Sequence, residues 1–178
     1  MRPISVSIDV PQNREAVHAF LDVLAHHELF TDHMLRDWAC SGPPAGVGAQ
    51  AEVINVLAGQ RVPVTIEVVA AVHGESTTER NVSAGGRRVG QGTYNLADLA
   101  DGGTRVTFTY AWVRAPLEDR LLAPIVRPVM RRAFRRALER LADEVTRRSP
   151  ADSAIAAARA PRPAKVVLLG LDAPHAPR

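Results

Sequence analysis

Between residues 50 and 112, apolar and polar residues alternate in stretch after stretch, with glycine-rich turns between, and one long helical pattern follows. Val62, Val64, Ile66, Val68, Ala70 and Val72 form one period-two stripe, and Val106, Phe108, Tyr110 and Trp112 form another. Such alternation makes strands with one buried face and one wet face. Residues 51–57, 77–83 and 88–96 read as further strands. Gly59-Gln60, Gly85-Gly86 and Asp101-Gly102-Gly103 are short turns, so neighbouring strands pair antiparallel as a meander. Nothing here predicts a parallel sheet.

The flanks of the meander are helical. Ile4 to Val10 alternate strictly as an opening strand, and Pro11 stops it. Asn13 can cap a helix whose Val17, Phe20, Leu21 and Leu24 fall at i, i+3, i+4 and i+7. A second short helix over roughly 26–35 presents Leu29, Phe30, His33 and Met34, and strands run from Trp38 onward. At the other end Leu117, Leu121, Ile125, Val129, Ala133, Ala137, Leu141 and Val145 repeat every four residues. Pro124 and Pro128 predict a kink or break between about Leu121 and Pro128, with the helix proper beginning near Pro128.

Length and charge narrow the function classes. The 178 residues suit one domain over 1–148, followed by an Ala/Pro/Arg-rich tail over 149–178. That tail is expected to be largely disordered, with Val166 to Leu171 as its one apolar stretch. No apolar run reaches the ~18 residues of a membrane span, so no integral membrane segment is expected. The start lacks a signal-peptide core and Cys40 is the single cysteine, which predicts a cytoplasmic protein. The 22 basic and 19 acidic residues leave a net charge of +3, and residues 1–148 hold 18 and 17 of them. A nearly neutral domain with eight scattered aromatics lacks the footprint of a nucleic-acid binder.

The element order of one strand, two short helices, six strands and a long helix resembles the helix-grip fold of the START-like, polyketide cyclase/dehydrase-like (SRPBCC) superfamily. The resemblance rests also on the opening strand into Pro11, on Phe30-Thr31-Asp32-His33 leading to Asp37-Trp38, and on Gly46-Val47-Gly48-Ala49. Gly102-Gly103-Thr104-Arg105-Val106-Thr107 and the arginine-rich Arg131 to Ala137 complete it. It implies an α+β fold in which a curved seven-stranded antiparallel sheet wraps around a long C-terminal helix, with two short helices after the first strand. It also implies an apolar cavity between helix and sheet. Superfamily members include aromatase/cyclases and lipid or quinone binders, and they share no universal catalytic set.

The expected cavity lining is Met34, Trp38, Arg80, Tyr94, Phe108, Tyr110, Trp112, Met130, Phe134 and Leu138. Tyr and Trp suit such a wall because they pair apolar bodies with polar tips. Arg80 is taken to share an inward face with Val82, and Arg80 with Tyr94 or Tyr110 is the best available acid–base pair. No catalytic residue is assigned and no cofactor is implied. Three functions follow in order: binding of a polyketide-, lipid- or quinone-like molecule, a cyclase/dehydratase reaction in the same cavity, or an interaction domain with a filled interior. His18, His26, His27 and His33 lack the i, i+4 spacing of a helical metal pair, so they read as solvated or edge-packed. Cys40 has no evident activating partner. Arg131, Arg132, Arg135, Arg136 and Arg140 read as a wet face laced by i, i+4 pairs such as Arg135–Glu139 and Arg140–Glu144. Gly90-x-Gly92 reads as hairpin glycines, with no phosphate cradle.

Overall fold

The computed structural model describes residues 1–57 and 59–148. The tail over 149–178, with its Val166 to Leu171 stretch, lies outside the described residues. Strand β1 (Ile4–Val10) leads to helix α1 (Arg14–Leu21), a 3-10 turn (Leu24–His26) and helix α2 (His27–Thr31). Strands β2 (Leu35–Ser41), β3 (Gln50–Leu57), β4 (Gln60–Val72), β5 (Ser76–Ser83), β6 (Arg88–Asp98) and β7 (Thr104–Arg114) follow, then helix α3 (Leu117–Arg147). The seven strands form one antiparallel sheet in the order β1-β7-β6-β5-β4-β3-β2. The expected α+β helix-grip architecture is the observed one.

Local chemistry explains the boundaries. The Asn13 side chain accepts the Ala16 N–H at 2.9 Å, the capping bond of α1. Val17, Phe20, Leu21 and Leu24 are all buried. The second helix is shorter than its sequence pattern predicts, and β2 begins at Leu35, three residues before Trp38. The Thr31 hydroxyl donates back to the His27 carbonyl at 2.6 Å, and the Met34 N–H closes a turn onto Thr31. Leu35 is then already paired with Asn55.

The prolines of α3 do not break it: the helix is continuous from Leu117 to Arg147. Both prolines lie on its exposed side, where water can take the carbonyls that lose an N–H partner. The stripe of β4 holds through Val68 and then fails. A register shift between Val68 and Ala70 changes the phase, and Val69 and Val72 are exposed. The loop before β3 anchors that irregularity, with Gly48 N–H donating to Val68 O and Val68 N–H to Ala49 O, each at 2.9 Å.

Two apolar clusters result. The larger joins β1, β6 and β7 to α1, α2 and the C-terminal half of α3, through residues such as Ile4, Phe30, Val106, Leu138 and Leu141. The smaller joins β3 and β4 through Ala51, Val53, Ile66 and Val68, capped by Leu24 and Ala49. Strand β5 runs between them at the middle of the sheet.

Candidate functional site

Strand β5 turns its polar residues inward. Thr77, Glu79 and Ser83 are buried while Arg80 is exposed, so the alternation is the reverse of the one expected from Val82. Arg80 instead pairs with Glu67 on the outer face of β4. Across the sheet Glu79 sits between Val68 of β4 and Gly92 of β6, and Thr77 sits beside Tyr94. The centre of the inner face is therefore a polar floor. Ile66 and Val68 wall it on one side, and Phe108 and Tyr110 on the other.

Gly90 and Gly92 keep the aromatic wall close to that floor. They lie within β6, paired with Trp112 and Tyr110, and are not hairpin residues as the sequence suggested. A Cβ on Gly90 would fall 2.0 Å from the Tyr110 hydroxyl oxygen, and one on Gly92 would fall 2.9 Å from the Phe108 ring. Only glycine lets these rings tip down onto the strand. Tyr94 packs on Phe108 at 4.6 Å between ring centroids, Phe108 on Phe134 at 5.0 Å, and Tyr110 on Phe134 and Trp112 at 5.6 and 5.2 Å.

His27 descends onto the floor from α2. It is 2% exposed and Glu79 is 5% exposed, so the pair is buried. Its Nε2–H donates to the Leu21 carbonyl at 2.8 Å, and its Nδ1 lies 2.8 Å from Glu79 Oε1. That second approach is an ion-pair contact off the line of the ring N–H, which leaves Oε1 without an aligned hydrogen bond. With one nitrogen bonded to a carbonyl and the other against a carboxylate, the surroundings of the ring favour imidazolium. Burial opposes that charge, but the Glu79 carboxylate and the Leu21 carbonyl outweigh it and raise the His27 pKa above its ordinary value. Tyr94 packs edge-on to His27 at 5.6 Å. Burial, and then the Glu79 charge, lift its hydroxyl pKa well above the usual range and keep it a proton donor. Burial likewise pushes Tyr110 up to about 12.

Other buried polar atoms around the two clusters lack a partner, among them Thr77 Oγ1 and the indole Nε1 of Trp38. An unpaired polar atom in an interior costs free energy; the Trp38 N–H has a hydrogen bond left to donate, and the Thr77 hydroxyl one to donate or accept.

The expected lining residues divide. Met34, Tyr94, Phe108, Tyr110, Trp112, Met130, Phe134 and Leu138 share the larger cluster, and Trp38 packs against the smaller one. Arg80 belongs to neither. His27, Glu79 and Thr77 were absent from the expected lining. Of the four histidines, His26 and His33 are edge-packed as expected, half-buried and bonded to the Phe20 and Ala133 carbonyls, the latter at 3.0 Å, whereas His18 and His27 are buried. Cys40 is exposed, and partial burial raises its thiol pKa, so it carries no activated thiolate. Two surface depressions lie apart from the floor. One of about 430 Å³ is lined by Gly85, Gly86, Arg87, Arg114, Ala115 and Pro116, and one of about 300 Å³ opens between Ile4 and residues 124–131 of α3.

Comparison with solved structures agrees with the fold. TTHA0849 from Thermus thermophilus is 19% identical with a TM-score of 0.64, covering 83% of this chain and 99% of that one. The Zhui aromatase/cyclase from Streptomyces sp. R1128 is 17% identical with a TM-score of 0.67, covering 83% and 94%. Comparison with curated proteins gives no match. A family model described as polyketide cyclase / dehydrase and lipid transport matches residues 1–146. On that span, together with the helix-grip sheet and its buried inner face, the chain belongs to the polyketide cyclase/dehydrase and lipid-transport family.

Proposed function

We propose that the chain binds a hydrophobic or amphipathic small molecule, polyketide-, lipid- or quinone-like, against the inner face of the sheet. The observation that carries this reading is the polar floor of β5 between two apolar walls. A few fixed polar groups on apolar surroundings are what orient such a ligand. Thr77, Glu79 and Tyr94 would meet its oxygen functions, while Met34, Phe108, Tyr110, Trp112 and Met130 would meet its hydrocarbon. Trp38 and Leu138 complete the walls.

The test joins mass spectrometry of co-purifying material with uptake of an environment-sensitive apolar dye. Phe134 is wedged between Phe108 and Tyr110. In a ligand-holding interior, Phe134→Ala changes dye uptake and costs less than the roughly 3–5 kcal/mol usual for a buried Phe truncation. A loss in or above that range, with no dye bound by either protein, would mean a solid interior and an interaction domain.

The 2.8 Å approach of His27 to Glu79 favours a second reading, a cyclase/dehydratase in the same place. A carboxylate base beside an imidazolium acid can take a proton from carbon next to a carbonyl and return one to a departing hydroxyl. Conversion of a poly-β-ketone substrate, abolished in Glu79→Gln with dye uptake retained, would establish it.

A further inference from the structure

The two halves of α3 have different surroundings. Phe134, Ala137, Leu138, Leu141 and Val145 are buried, whereas Leu117, Leu121, Leu122, Ile125 and Val129 are 41–73% exposed. At ~100° per residue, Arg132, Arg135 and Arg136 fall within about 60° of Leu121 on the same outward face. The i, i+4 pairs expected to neutralise these arginines are not formed. Arg140 reaches across to Asp32, at the C-terminal end of α2, instead. Among the described residues, Arg131, Arg132, Arg135 and Arg136 join no salt bridge. Glu118 and Glu139 sit near the two ends of this face. One continuous helix thus presents an apolar patch ~18 Å long and then a cationic one.

We propose that this face docks on an anionic lipid surface. The side chains of Leu117, Leu121, Ile125 and Val129 enter the acyl boundary, and Arg132, Arg135 and Arg136 lie at phosphate level. A parallel pairing with a second copy of the chain sets arginine cluster against arginine cluster, and an antiparallel pairing centred on the apolar patch carries each cluster past the partner's Leu117, off the end of α3 and away from the apolar contact. Residues 149–178, with four basic and two acidic residues, also repel the cationic half.

Flotation of the full chain with vesicles tests the proposal, using phosphatidylcholine alone or mixed with phosphatidylserine. The mixed vesicles should bind at least about tenfold more protein, with binding falling as salt rises. Leu121→Gln/Ile125→Gln should lose binding at any salt, and Arg132→Gln/Arg135→Gln should lose only the preference for phosphatidylserine. Circular dichroism should show both variants folded, since the replaced side chains lie at the surface. No binding to mixed vesicles would overturn the proposal. So would a dimer by light scattering that Leu121→Gln/Ile125→Gln turns into monomer without any vesicle binding. Binding that appears only in Leu168→Glu/Leu169→Glu would overturn it too, by showing that the tail covers this face. The dye-uptake experiment reads the interior and not this surface, so the two proposals fail independently.

Discussion

Glu79 and Arg80 are adjacent on β5, yet their ion pairs lie in different media. Glu79 faces His27 inside the sheet, with both side chains at most 7% exposed. Arg80 faces Glu67 outside, with side chains 53% and 28% exposed. The same charge pairing thus has two meanings. Outside, water already solvates both partners and little is gained by contact. Inside, each charge is tolerable only because the other is present. A carboxylate at the centre of the sheet, where a valine would pack more simply, costs desolvation that its partner must offset.

The largest expected effect comes from breaking the inner pair. His27→Leu strands a buried carboxylate and should cost about 3–5 kcal/mol at neutral pH. His27→Leu/Glu79→Leu should recover most of that loss, since an apolar pair of similar volume often replaces a buried ion pair without penalty. Denaturant titration of the three proteins measures both steps. A single variant that loses less than about 1 kcal/mol would show that the inner pair behaves like a surface pair.

Titration sharpens the same contrast. His27 has a raised folded pKa, so its contribution is complete below its unfolded value of 6.5 and is lost as pH rises through the folded value. His26 and His33 behave oppositely: burial lowers their pKa, so their contributions are complete above 6.5 and fade as pH falls through the folded values. The stability difference between wild type and His27→Gln should therefore shrink as pH climbs above 6.5. A difference that stays flat across that range would show that His27 is neutral in the fold.

Thr77 lies on the same floor, 2% exposed, with an unpartnered hydroxyl. Thr77→Val removes that unpaired polar atom while keeping the shape of the side chain. It should stabilise the ligand-free chain by about 1 kcal/mol and weaken binding of an oxygen-bearing ligand. A destabilised variant would mean that the hydroxyl is already satisfied.

The fold was legible because its signals are periodic and repeated: alternation along β1, β4 and β7, turn glycines between strands, and a four-residue repeat through α3. The inner face of β5 was misread for a definable reason. Its parity was set from Val82, which is only half-buried near the end of the strand. The hairpin closing Ser83 on Arg88 puts Tyr94 beside Thr77 and Gly92 beside Glu79. Tyr94 was the better anchor: an inward Tyr94 makes Thr77 and Glu79 inward and Arg80 outward. His27 left no such trace, because a buried histidine and a wet one look alike until the partner strand is in register. The continuity of α3 was hidden as well. Pro124 and Pro128 each remove one N–H donor, but both lie on the exposed side of α3, and the packing of Phe134 to Val145 that anchors the helix lies beyond them.

The smallest expected effect belongs to the outer pair, and it completes the contrast. Arg80→Ala removes a long side chain whose partner Glu67 stays in reach of solvent, so no charge is left stranded. Side-chain entropy released by the truncation offsets much of what the contact contributed. The expected loss is below about 1 kcal/mol, fading further at high salt as screening weakens the pair in wild type. Ligand uptake should not change, since Arg80 points away from the floor. If Arg80→Ala instead abolished dye uptake while leaving stability intact, the outward placement of Arg80 would be wrong in the ligand-bound protein. The parity of β5, and with it the inward Glu79, would then have to be reversed.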